Sequence, residues 1–455
     1  MDLIADAPGQ RAKPPASQTF AGKRALVVGL GVHGGGAGVA RFLARSGASV
    51  RVTDLQPSDR LQGSLESLRG LDVAYTLGRH DEADLDGVDL VVRNPAVPRE
   101  SPFVREAQAR GIPVHMEMSL FLVACPSRHV IGITGTKGKT TTTTLVGEIL
   151  RAAGVDVVVA GNLRISALDQ IDRIGTGTTV VLELSSFQLE GLDAIEQSPR
   201  VTAVTNLMPD HLNRYVSMEA YVDAKRRAFM YQGKEGVVAL NREDERSVDL
   251  ARGVQGAVAW FGPETPVPGF TDNARGWAGP HNLANARCAA TLAREVGASE
   301  EAIEATMRTF GGVAYRQELV RVLRGVRYVN DTAATTPDAT LAALASIPGP
   351  IVLIAGGADK GLEFAGLGAA LSRTGGPVTD VVLLEGSATD RLVAHAGHGL
   401  VRGRHARLAD AVTQASALAV AGGAVLLSPG CASFGMFRNE FDRGDQFNAL
   451  VRGLG

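Results

Sequence analysis

Short apolar runs alternate with amphipathic helical stretches along nearly the whole chain. Each run has about the length of a strand, and the runs are RALVVGL, SVRVTDL, DLVVRNP, HVIGITG, TTVVLELSS, VTAVTNL, GPIVLIAGG, TDVVLLEGS and GAVLLSPG. Continuous apolar runs separated by helices are typical of strands buried on both faces of a parallel sheet. The pattern therefore predicts an α/β fold with mostly parallel sheets, in which ligands bind beyond the carboxyl ends of the strands.

The length of 455 residues suggests about three domains, at roughly 150 residues each. Breaks in the pattern predict a first domain over 20–117, a central domain over 118–313 and a third domain over 314–455. Residues 1–19 hold several Ala and Pro and lack the apolar core of a signal peptide, so we expect a flexible tail there. The stretch 261–278 is rich in Gly and Pro and predicts an irregular loop inside the central domain.

Composition narrows the class of protein. Hydrophobic residues make up 45% and charged residues 21%, and the formal net charge is -2. This is an ordinary globular balance, with no electrostatic case for binding nucleic acid or a membrane surface. The three cysteines lie far apart without a CxxC pair, which favours a reducing compartment and no zinc site. No apolar run has the length of a membrane span, so the expected location is the cytoplasm.

The first glycine-rich turn follows the strand RALVV and precedes the helix AGVARFLARSG. Gly29, Gly31 and Gly34 form the pattern G-x-G-x-x-G, and Asp54 ends the next strand. This spacing is the dinucleotide fingerprint, in which the glycines allow close approach of phosphates and the acid binds a ribose. The fingerprint alone suits an NAD-dependent dehydrogenase, a protein that binds a nucleotide-diphosphate sugar, or a turn with only a packing role.

The second glycine-rich turn covers Gly132–Thr141, after the strand HVI and before a helix. Backbone N–H groups of such a loop converge on phosphate oxygens at a helix N-terminus. Lys139 would neutralise the β- and γ-phosphates of a nucleotide, and Thr140 would hold Mg²⁺. The match to the P-loop is imperfect, because Ile133 stands where its first glycine is expected.

Three further side chains are candidates for chemistry in the central domain. Glu183 ends an apolar strand, where a carboxylate is costly to bury unless it is paired or binds a metal. His211 follows a strand and an aspartate, and a neutral imidazole there can bind a metal. Lys225 lies in the predicted helix SMEAYVDAKRRAFM, either at the site or on a solvated basic face.

Clusters of small and hydroxyl-bearing residues follow three strands in the last third of the chain. They cover 330–337, 356–361 and 428–433. Each cluster alone could be an ordinary turn, but together they are typical of a site for a small polar ligand.

Taken in order, these segments resemble the Mur ligases. The segments that carry the resemblance are GITGTKGKTTTTTLVGEIL, ELSSFQLE, DHLNRY, AGPHNLANARCAA, YRQE, NDTAATTP, GGADKG and LSPGCASFGMFRNEFDRGDQF. The resemblance covers nearly the whole chain beyond the tail. It is strongest to the members of the family that add glutamate.

The resemblance implies an N-terminal Rossmann-like domain for a uridine nucleotide, a central P-loop ATPase domain and a C-terminal Rossmann-like domain for the amino acid. It implies a monomer in peptidoglycan precursor synthesis, with ATP and two Mg²⁺ ions. ATP would activate the carboxylate of UDP-N-acetylmuramoyl-L-alanine as an acyl phosphate, which the amine of glutamate then attacks. D-glutamate is expected, and L-glutamate is the alternative.

The resemblance also assigns residues to sites. The ATP site would comprise Gly135, Thr136, Lys137, Gly138, Lys139, Thr140, Thr141, Asn285, Arg316 and Asp331. The UDP-sugar site would comprise Gly31, Val32, His33, Gly34, Asp54, Asn162 and Gln188. Glutamate would contact Thr335, Lys360 and Ser433. Metal ligands would be Thr140, Glu183, His211 and a carbamylated Lys225, and the catalytic set would be Lys139, His211, Lys225 and Lys360.

Three alternatives stay open at the level of the sequence. A dehydrogenase would explain the first turn but leave the P-loop without a role. A non-catalytic protein gated by ATP would have no need of Lys139, His211 and Lys225, all of which are present. A folate-polyglutamating ligase shares the P-loop and would differ by a folate pocket.

Overall fold

The computed structural model describes residues 19–31, 35–162, 166–210, 214–271, 279–359, 362–373, 375–396 and 399–455. The chain divides into two compact units. Unit 1 covers Met1–Phe270 and Pro280–Thr309, and unit 2 covers Thr271–Gly279 and Phe310–Gly455. Apart from Thr19, the predicted tail over 1–19 lies outside the described residues.

The first sheet of unit 1 is entirely parallel, with the strand order β3-β2-β1-β4-β5. Its strands are β1 (Arg24–Val28), β2 (Ser49–Asp54), β3 (Val73–Leu77), β4 (Leu90–Arg93) and β5 (Val114–His115). Its helices are α1 (Gly35–Arg45), α2 (Gln62–Glu66) and α3 (Pro102–Ala109). Alternate residues of β1 enter different cores: Val27 packs with Leu43 of α1, and Leu26 packs with Phe103 of α3. The sheet is therefore covered on both faces, as a continuous apolar run predicts.

The second sheet of unit 1 is also parallel, in the order β11-β10-β9-β6-β8-β7. Its strands are β6 (Val130–Thr134), β7 (Val157–Gly161), β8 (Thr179–Glu183), β9 (Val201–Val204), β10 (Val237–Asn241) and β11 (Ala257–Phe261). The helices around it are α4 (Glu117–Ala124), α5 (Lys139–Ala152), α6 (Ser186–Leu189), α7 (Met218–Arg226), α8 (Glu245–Leu250), α9 (Pro280–Glu295) and α10 (Glu300–Thr309). Because β6 lies between β8 and β9, the segments that follow these three strands meet at one edge.

Unit 2 holds a third sheet in the order β12-β13-β17-β14-β15-β16. Its strands are β12 (Glu318–Leu323), β13 (Val326–Asn330), β14 (Ile351–Ala355), β15 (Val378–Leu384), β16 (Val401–His405) and β17 (Ala424–Leu427). Its helices are α11 (Pro337–Ser346), α12 (Ala365–Leu371), α13 (Thr389–Ala396), α14 (Leu408–Leu418) and α15 (Glu440–Arg452). Strand β12 pairs antiparallel with β13, and the other pairs are parallel. The two-residue turn between them has Arg324 at φ 52° and Gly325 at φ 75°, the signature of a tight hairpin.

Short 3-10 helices complete the description of the regular elements. They cover Ser58–Arg60, Glu82–Leu85, Leu168–Arg173, Glu190–Ala194 and Ala251–Gly253.

The predicted α/β fold with three mostly parallel sheets is confirmed, and the exception is the antiparallel edge strand β12. The exact domain limits near 118 and 313 remain a prediction. Cys125, Cys288 and Cys431 are buried and form no disulfide. Among the helices that the structure describes, none combines the length and apolar character needed to cross a membrane.

Candidate active site

The loop between β6 and α5 requires glycine at two positions. Gly135 has φ 140°, and a Cβ added there would lie 1.9 Å from Thr205 Oγ1 and 2.9 Å from the Thr205 backbone nitrogen. Gly138 has φ 82°, and its Cβ would lie 2.0 Å from Asn285 Oδ1. The loop is therefore packed against the end of β9 on one side and against α9 on the other, and α9 carries Asn285, a predicted ATP-site residue.

The segment after β9 holds the backbone of this loop. Asn206 accepts the Thr136 N–H on its carbonyl and the Lys137 N–H on its Oδ1, both at 2.9 Å. Thr205 Oγ1 donates to the Lys137 carbonyl at 2.6 Å. The side chain of Lys137 is exposed. Since α5 begins at Lys139, the N–H groups of its first turn face the loop and can bind an anion.

Two lysine amines meet at one carbonyl of the loop. Lys139 Nζ donates to the carbonyls of Gly135 at 3.0 Å and Thr136 at 2.9 Å. Lys225 Nζ donates to the same Gly135 carbonyl at 2.8 Å, and it lies 4.6 Å above the ring of Tyr221. The sequence left open whether Lys225 lies on a solvated face, and the structure answers this, because the residue is only 1% exposed.

Burial lowers the pKa of Lys225 well below the ordinary 10.5 of a lysine. The positive charge of Lys139 lowers this pKa further, and the negative charge of Asp210 opposes the shift. An amine with a depressed pKa is neutral in a larger fraction of molecules, and only a neutral amine is nucleophilic.

Glu183 lies beside the P-loop strand, since β8 pairs with β6 so that Glu183 is opposite Ile133. The residue is 1% exposed. Its Oε1 accepts a hydrogen bond from Asn162 Nδ2 at 2.8 Å, while its Oε2 is buried without a hydrogen-bond partner among the described residues. A buried carboxylate oxygen in this state suits a hard cation such as Mg²⁺.

Two other predicted metal ligands, Thr140 and His211, differ from Glu183 in what the structure describes of them. Thr140 is partly buried in the first turn of α5. His211 lies outside the described residues. Within the described part of the chain, His, Cys, Asp and Glu side chains do not form a group of three that could hold a metal. Glu183, with its buried Oε2, is a described carboxylate that fits such an ion.

A cleft of about 1550 Å³ opens in unit 1 beyond the carboxyl ends of β1, β2 and β4. Four predicted UDP-sugar residues, Gly31, Asp54, Asn162 and Gln188, line it together. Val32, His33 and Gly34 lie outside the described residues. The other polar and aromatic residues that line the cleft include Arg60, His80, Arg93, Glu117, Ser166 and Phe187.

Asp54 holds the first glycine-rich turn through one carboxylate oxygen and the chain after its own strand through the other. Oδ2 accepts the Gly31 N–H at 3.0 Å, and Oδ1 accepts the Gln56 N–H at 2.8 Å. Gly29 and Gly31 have φ values of 89° and 69°. A ribose hydroxyl would therefore share an oxygen that already accepts a backbone N–H, using a remaining lone pair.

Asn162 and Gln188 each use part of their amide group inside the protein. Asn162 donates its Nδ2 to Glu183, so its amide oxygen is the atom suited to a ligand hydroxyl. Gln188 Oε1 accepts the Ser185 N–H at 3.0 Å in a capping box at the start of α6. A ligand contact of Gln188 would therefore use its amide nitrogen.

In unit 2 the three small-residue clusters come together, because β17 lies between β13 and β14. The Gly430 N–H donates to the Ala334 carbonyl at 2.9 Å, and Ala358 and Ala432 form an isolated antiparallel bridge. Ser433 is 3% exposed, and its Oγ has no hydrogen-bond partner in the described part of the chain. Thr335 is partly buried at the same place, and Lys360 lies outside the described residues.

Asp331 follows β13 and is buried. Ser428 Oγ donates to its Oδ2 at 2.7 Å, and the Gln317 N–H donates to its Oδ1 at 3.1 Å. Burial is the largest effect on this carboxyl group and raises its pKa to about 7. Arg316, the other predicted adenosine-site residue of this unit, is exposed.

Arg443 of α15 is a site residue that the sequence did not indicate. It is fully buried and holds two of the clusters together. Its Nε and Nη2 donate to the side chain and carbonyl of Thr332 at 2.9 and 3.0 Å, and its Nη1 donates to the Cys431 carbonyl at 3.4 Å. Burial lowers its pKa to about 10. An arginine in a polar helix is usually solvated, so its only signal was its place within the segment FDRGDQF.

Comparison with known proteins identifies two domains. Residues 23–116 match the Mur ligase MurD-like N-terminal domain, and residues 133–272 match the Mur ligase middle domain. The UDP-N-acetylmuramoylalanine–D-glutamate ligase of Roseiflexus sp. (strain RS-1) is 45% identical over 95% of this chain and 99% of its own length. The protein of the same name from Geobacter metallireducens is 40% identical, over 96% of this chain and 98% of its own.

A solved structure supports the fold. The UDP-N-acetylmuramate-alanine ligase from Thermotoga maritima matches with a TM-score of 0.55 and 18% identity, covering 94% of this chain and 99% of that chain. At this identity the likeness concerns the fold alone.

Proposed function

The chain belongs to the Mur ligase family, and on that premise we propose that it joins D-glutamate to UDP-N-acetylmuramoyl-L-alanine while ATP is converted to ADP and phosphate. Similarity over 95% of the chain to ligases of that name supports the substrates. The observation that carries the chemistry is the meeting of the Lys139 and Lys225 amines at the Gly135 carbonyl, in a glycine-dependent loop at the start of α5.

The reaction joins two carboxylate-bearing molecules through an activated intermediate. A carboxylate oxygen of the alanyl group bonds to the γ-phosphorus of ATP, and ADP leaves. The amine of glutamate then bonds to the acyl carbon, phosphate leaves, and the amine loses a proton. Each step brings negative charges together, so the first task of the site is to offset their repulsion. Exclusion of water protects the acyl phosphate from hydrolysis.

The P-loop meets the first task. Its backbone N–H groups and the first turn of α5 receive the phosphates, and Lys139 supplies a positive charge at the mouth of the loop. Asn285 packs against Gly138 and closes the loop from the side of α9. Arg316 and Asp331 are proposed to contact the adenosine part of ATP.

Glu183 and Thr140 are proposed to hold one Mg²⁺, and His211 with a carbamylated Lys225 a second. Bound magnesium neutralises phosphate charge and orients the phosphoryl group. The unsatisfied Oε2 of Glu183 supports the first position. The low pKa of Lys225 supports carbamylation, because its neutral nitrogen can bond to the carbon of CO₂ and release a proton to leave an anionic carbamate.

The nucleotide sugar is proposed to bind in the cleft lined by Gly31, Asp54, Asn162 and Gln188. Glutamate is proposed to bind Thr335, Ser433 and Lys360 in unit 2. The buried Ser433 hydroxyl without a described partner supports this, since it can serve a carboxylate. The enzyme is further proposed to be a cytoplasmic monomer with the domain limits that the sequence predicts.

The test measures phosphate release from ATP with UDP-N-acetylmuramoyl-L-alanine and either D- or L-glutamate in separate wells. We expect release with the D-isomer, none without the nucleotide sugar, and strongly reduced release from Lys139→Ala. Preference for L-glutamate would overturn the stereochemistry but keep the ligase. Turnover on a folate substrate instead, or an NADH-linked reaction without phosphate release, would overturn the proposal.

A further inference from the structure

One carboxylate of unit 1 joins groups from separate parts of the sequence behind the cleft. Glu190 begins the 3-10 helix that follows α6. Its Oε2 accepts from Arg93 Nη2 at 3.1 Å and lies 3.5 Å from Arg214 Nη2, and its Oε1 accepts from the Tyr215 hydroxyl at 3.1 Å. The side chains of Glu190 and Arg93 are only 10% and 4% exposed. A buried ion pair of this kind needs good hydrogen-bond geometry, which restricts the positions of its partners.

On one side this carboxylate fixes the walls of the cleft. Arg93 ends β4 and lines the cleft, and it also donates to the Val97 carbonyl at 2.7 Å. Phe187 and Gln188 line the cleft from the helical turn that leads into Glu190. Glu190 therefore ties together the two elements between which the nucleotide sugar is proposed to bind.

On the other side the contacts lead to the P-loop. The Tyr215 ring lies 5.4 Å from the ring of Tyr221, centre to centre. The Tyr221 hydroxyl lies 3.2 Å from Thr136 Oγ1 in the P-loop, and the Tyr221 ring lies beneath the Lys225 amine. A continuous series of polar and ring contacts thus runs from the cleft wall to the phosphate-binding loop.

We propose that Glu190 is a positioning residue that couples occupancy of the nucleotide-sugar cleft to the geometry of the P-loop. A bound nucleotide sugar restricts Arg93 and Phe187, and Glu190 passes that restriction to the tyrosines that support Thr136 and Lys225. The sugar should then tighten ADP binding, and ADP should tighten sugar binding by the same factor. This inference rests on the proposed function. Coupling between the two sites is the quantity to measure.

The experiment is calorimetric titration of the full chain with ADP and Mg²⁺, in the absence and presence of saturating UDP-N-acetylmuramoyl-L-alanine. The ratio of the two Kd values is the coupling factor, expected to be at least about fivefold in the wild type. Tyr215→Phe keeps the ring and removes the hydroxyl that contacts Glu190 and Ser186, and it should reduce the factor at least about threefold. Glu190→Gln should bring the factor close to one.

Tyr231→Phe is the matched control. The Tyr231 hydroxyl donates to Asp193 Oδ1 at 2.8 Å, and Asp193 pairs with Arg227 at 2.7 Å. This cluster has the same chemistry as that of Glu190, but Asp193 and Tyr231 do not line the cleft and make no described contact with the P-loop. The control should therefore keep the coupling factor even where its Tm falls as much as that of Tyr215→Phe.

A wild type with a factor of one, or a folded Tyr215→Phe protein that keeps the full factor, would overturn the role of Glu190. If Glu190→Gln does not fold, Tyr215→Phe decides the matter. Phosphate release is measured on the same preparation. Absence of release in the wild type would overturn the proposed function, whereas normal release without coupling would overturn only the present inference.

Discussion

The turn after β1 and the turn after β6 both follow a buried strand, open a helix and use glycine at positive φ. They differ in the charge that closes them. Asp54 accepts the Gly31 N–H of the first turn, besides the Gln56 N–H that follows its own strand, whereas Lys139 and Lys225 donate to a backbone carbonyl at the second turn. Glycine spacing thus specifies the space for a ligand, and the side chain beside each turn specifies the group it can contact, since a carboxylate accepts from a hydroxyl and an amine pairs with a phosphate.

The largest effect is expected from the amine that closes the second turn. Lys139→Ala should lower kcat at least about 100-fold, because a positioned donor at growing charge is worth roughly 3 kcal/mol or more. Steady-state phosphate release measures this. The exposed Lys234→Ala is the control and should keep wild-type turnover. Near-normal kcat in folded Lys139→Ala would remove this lysine from the mechanism.

Replacing a glycine by alanine should lower the free energy of unfolding more in the second turn than in the first. In Gly135→Ala the new Cβ meets the side chain and backbone nitrogen of Thr205, and we expect a loss of about 3 kcal/mol. In Gly31→Ala the nearest atom is Asn94 Nδ2 at 3.4 Å, so only the positive φ is unfavourable, at about 1 kcal/mol. Denaturant unfolding of the two variants checks the order, and equal losses would contradict the steric argument.

Removing the negative charge of Asp54 at the first turn should change the KM of one substrate only. The amide oxygen in Asp54→Asn can replace one carboxylate acceptor, and the other position presents an N–H to a backbone N–H. We expect the KM for the nucleotide sugar to rise about tenfold, equivalent to roughly 1.4 kcal/mol. The KM for ATP should stay within error. A comparable rise in both KM values would mean that the two turns do not act separately.

An effect separate from both turns is a pH dependence of stability in unit 2. The folded pKa of Asp331 is raised to about 7, so the native state binds the proton more tightly than the unfolded chain. The resulting stabilisation is fully present below the unfolded pKa near 3.9 and is lost as pH rises through about 7. The advantage of the wild type over Asp331→Asn in free energy of unfolding should therefore be larger at pH 5 than at pH 8. Parallel pH profiles would contradict the raised pKa.

Much of the fold follows from sequence because both faces of a parallel strand are buried. The run HVIGITG became β6, buried throughout, and TTVVLELSS became β8. The antiparallel strand β12 is half-exposed along its length, and its direction depends on the turn at Arg324 and Gly325. An edge strand of this kind leaves no continuous apolar signal in the sequence.

The site was predictable where the backbone requires a particular residue. The glycines of the P-loop fall into this class. Glu183, the last residue of β8, was indicated instead by the cost of burying a carboxylate at the end of an apolar strand. Asn206 follows β9, as the sequence shows, but its hydrogen bond to the Lys137 N–H of the P-loop is visible only in the structure. The roles of Arg443 and Glu190 could not be predicted from the sequence, because their partners, Thr332 and Arg93, lie more than 90 residues away.

All three cysteines are buried, which makes the chain unreactive toward thiol-directed dyes on its surface. A fluorophore can therefore be attached at any exposed position after a single change to cysteine, without first removing native thiols. Val248 of unit 1 and Val420 of unit 2 are 42% and 58% exposed and suit such changes. A donor and acceptor pair at these two positions would report, molecule by molecule, whether the distance between them changes as ATP, nucleotide sugar and glutamate are added in turn.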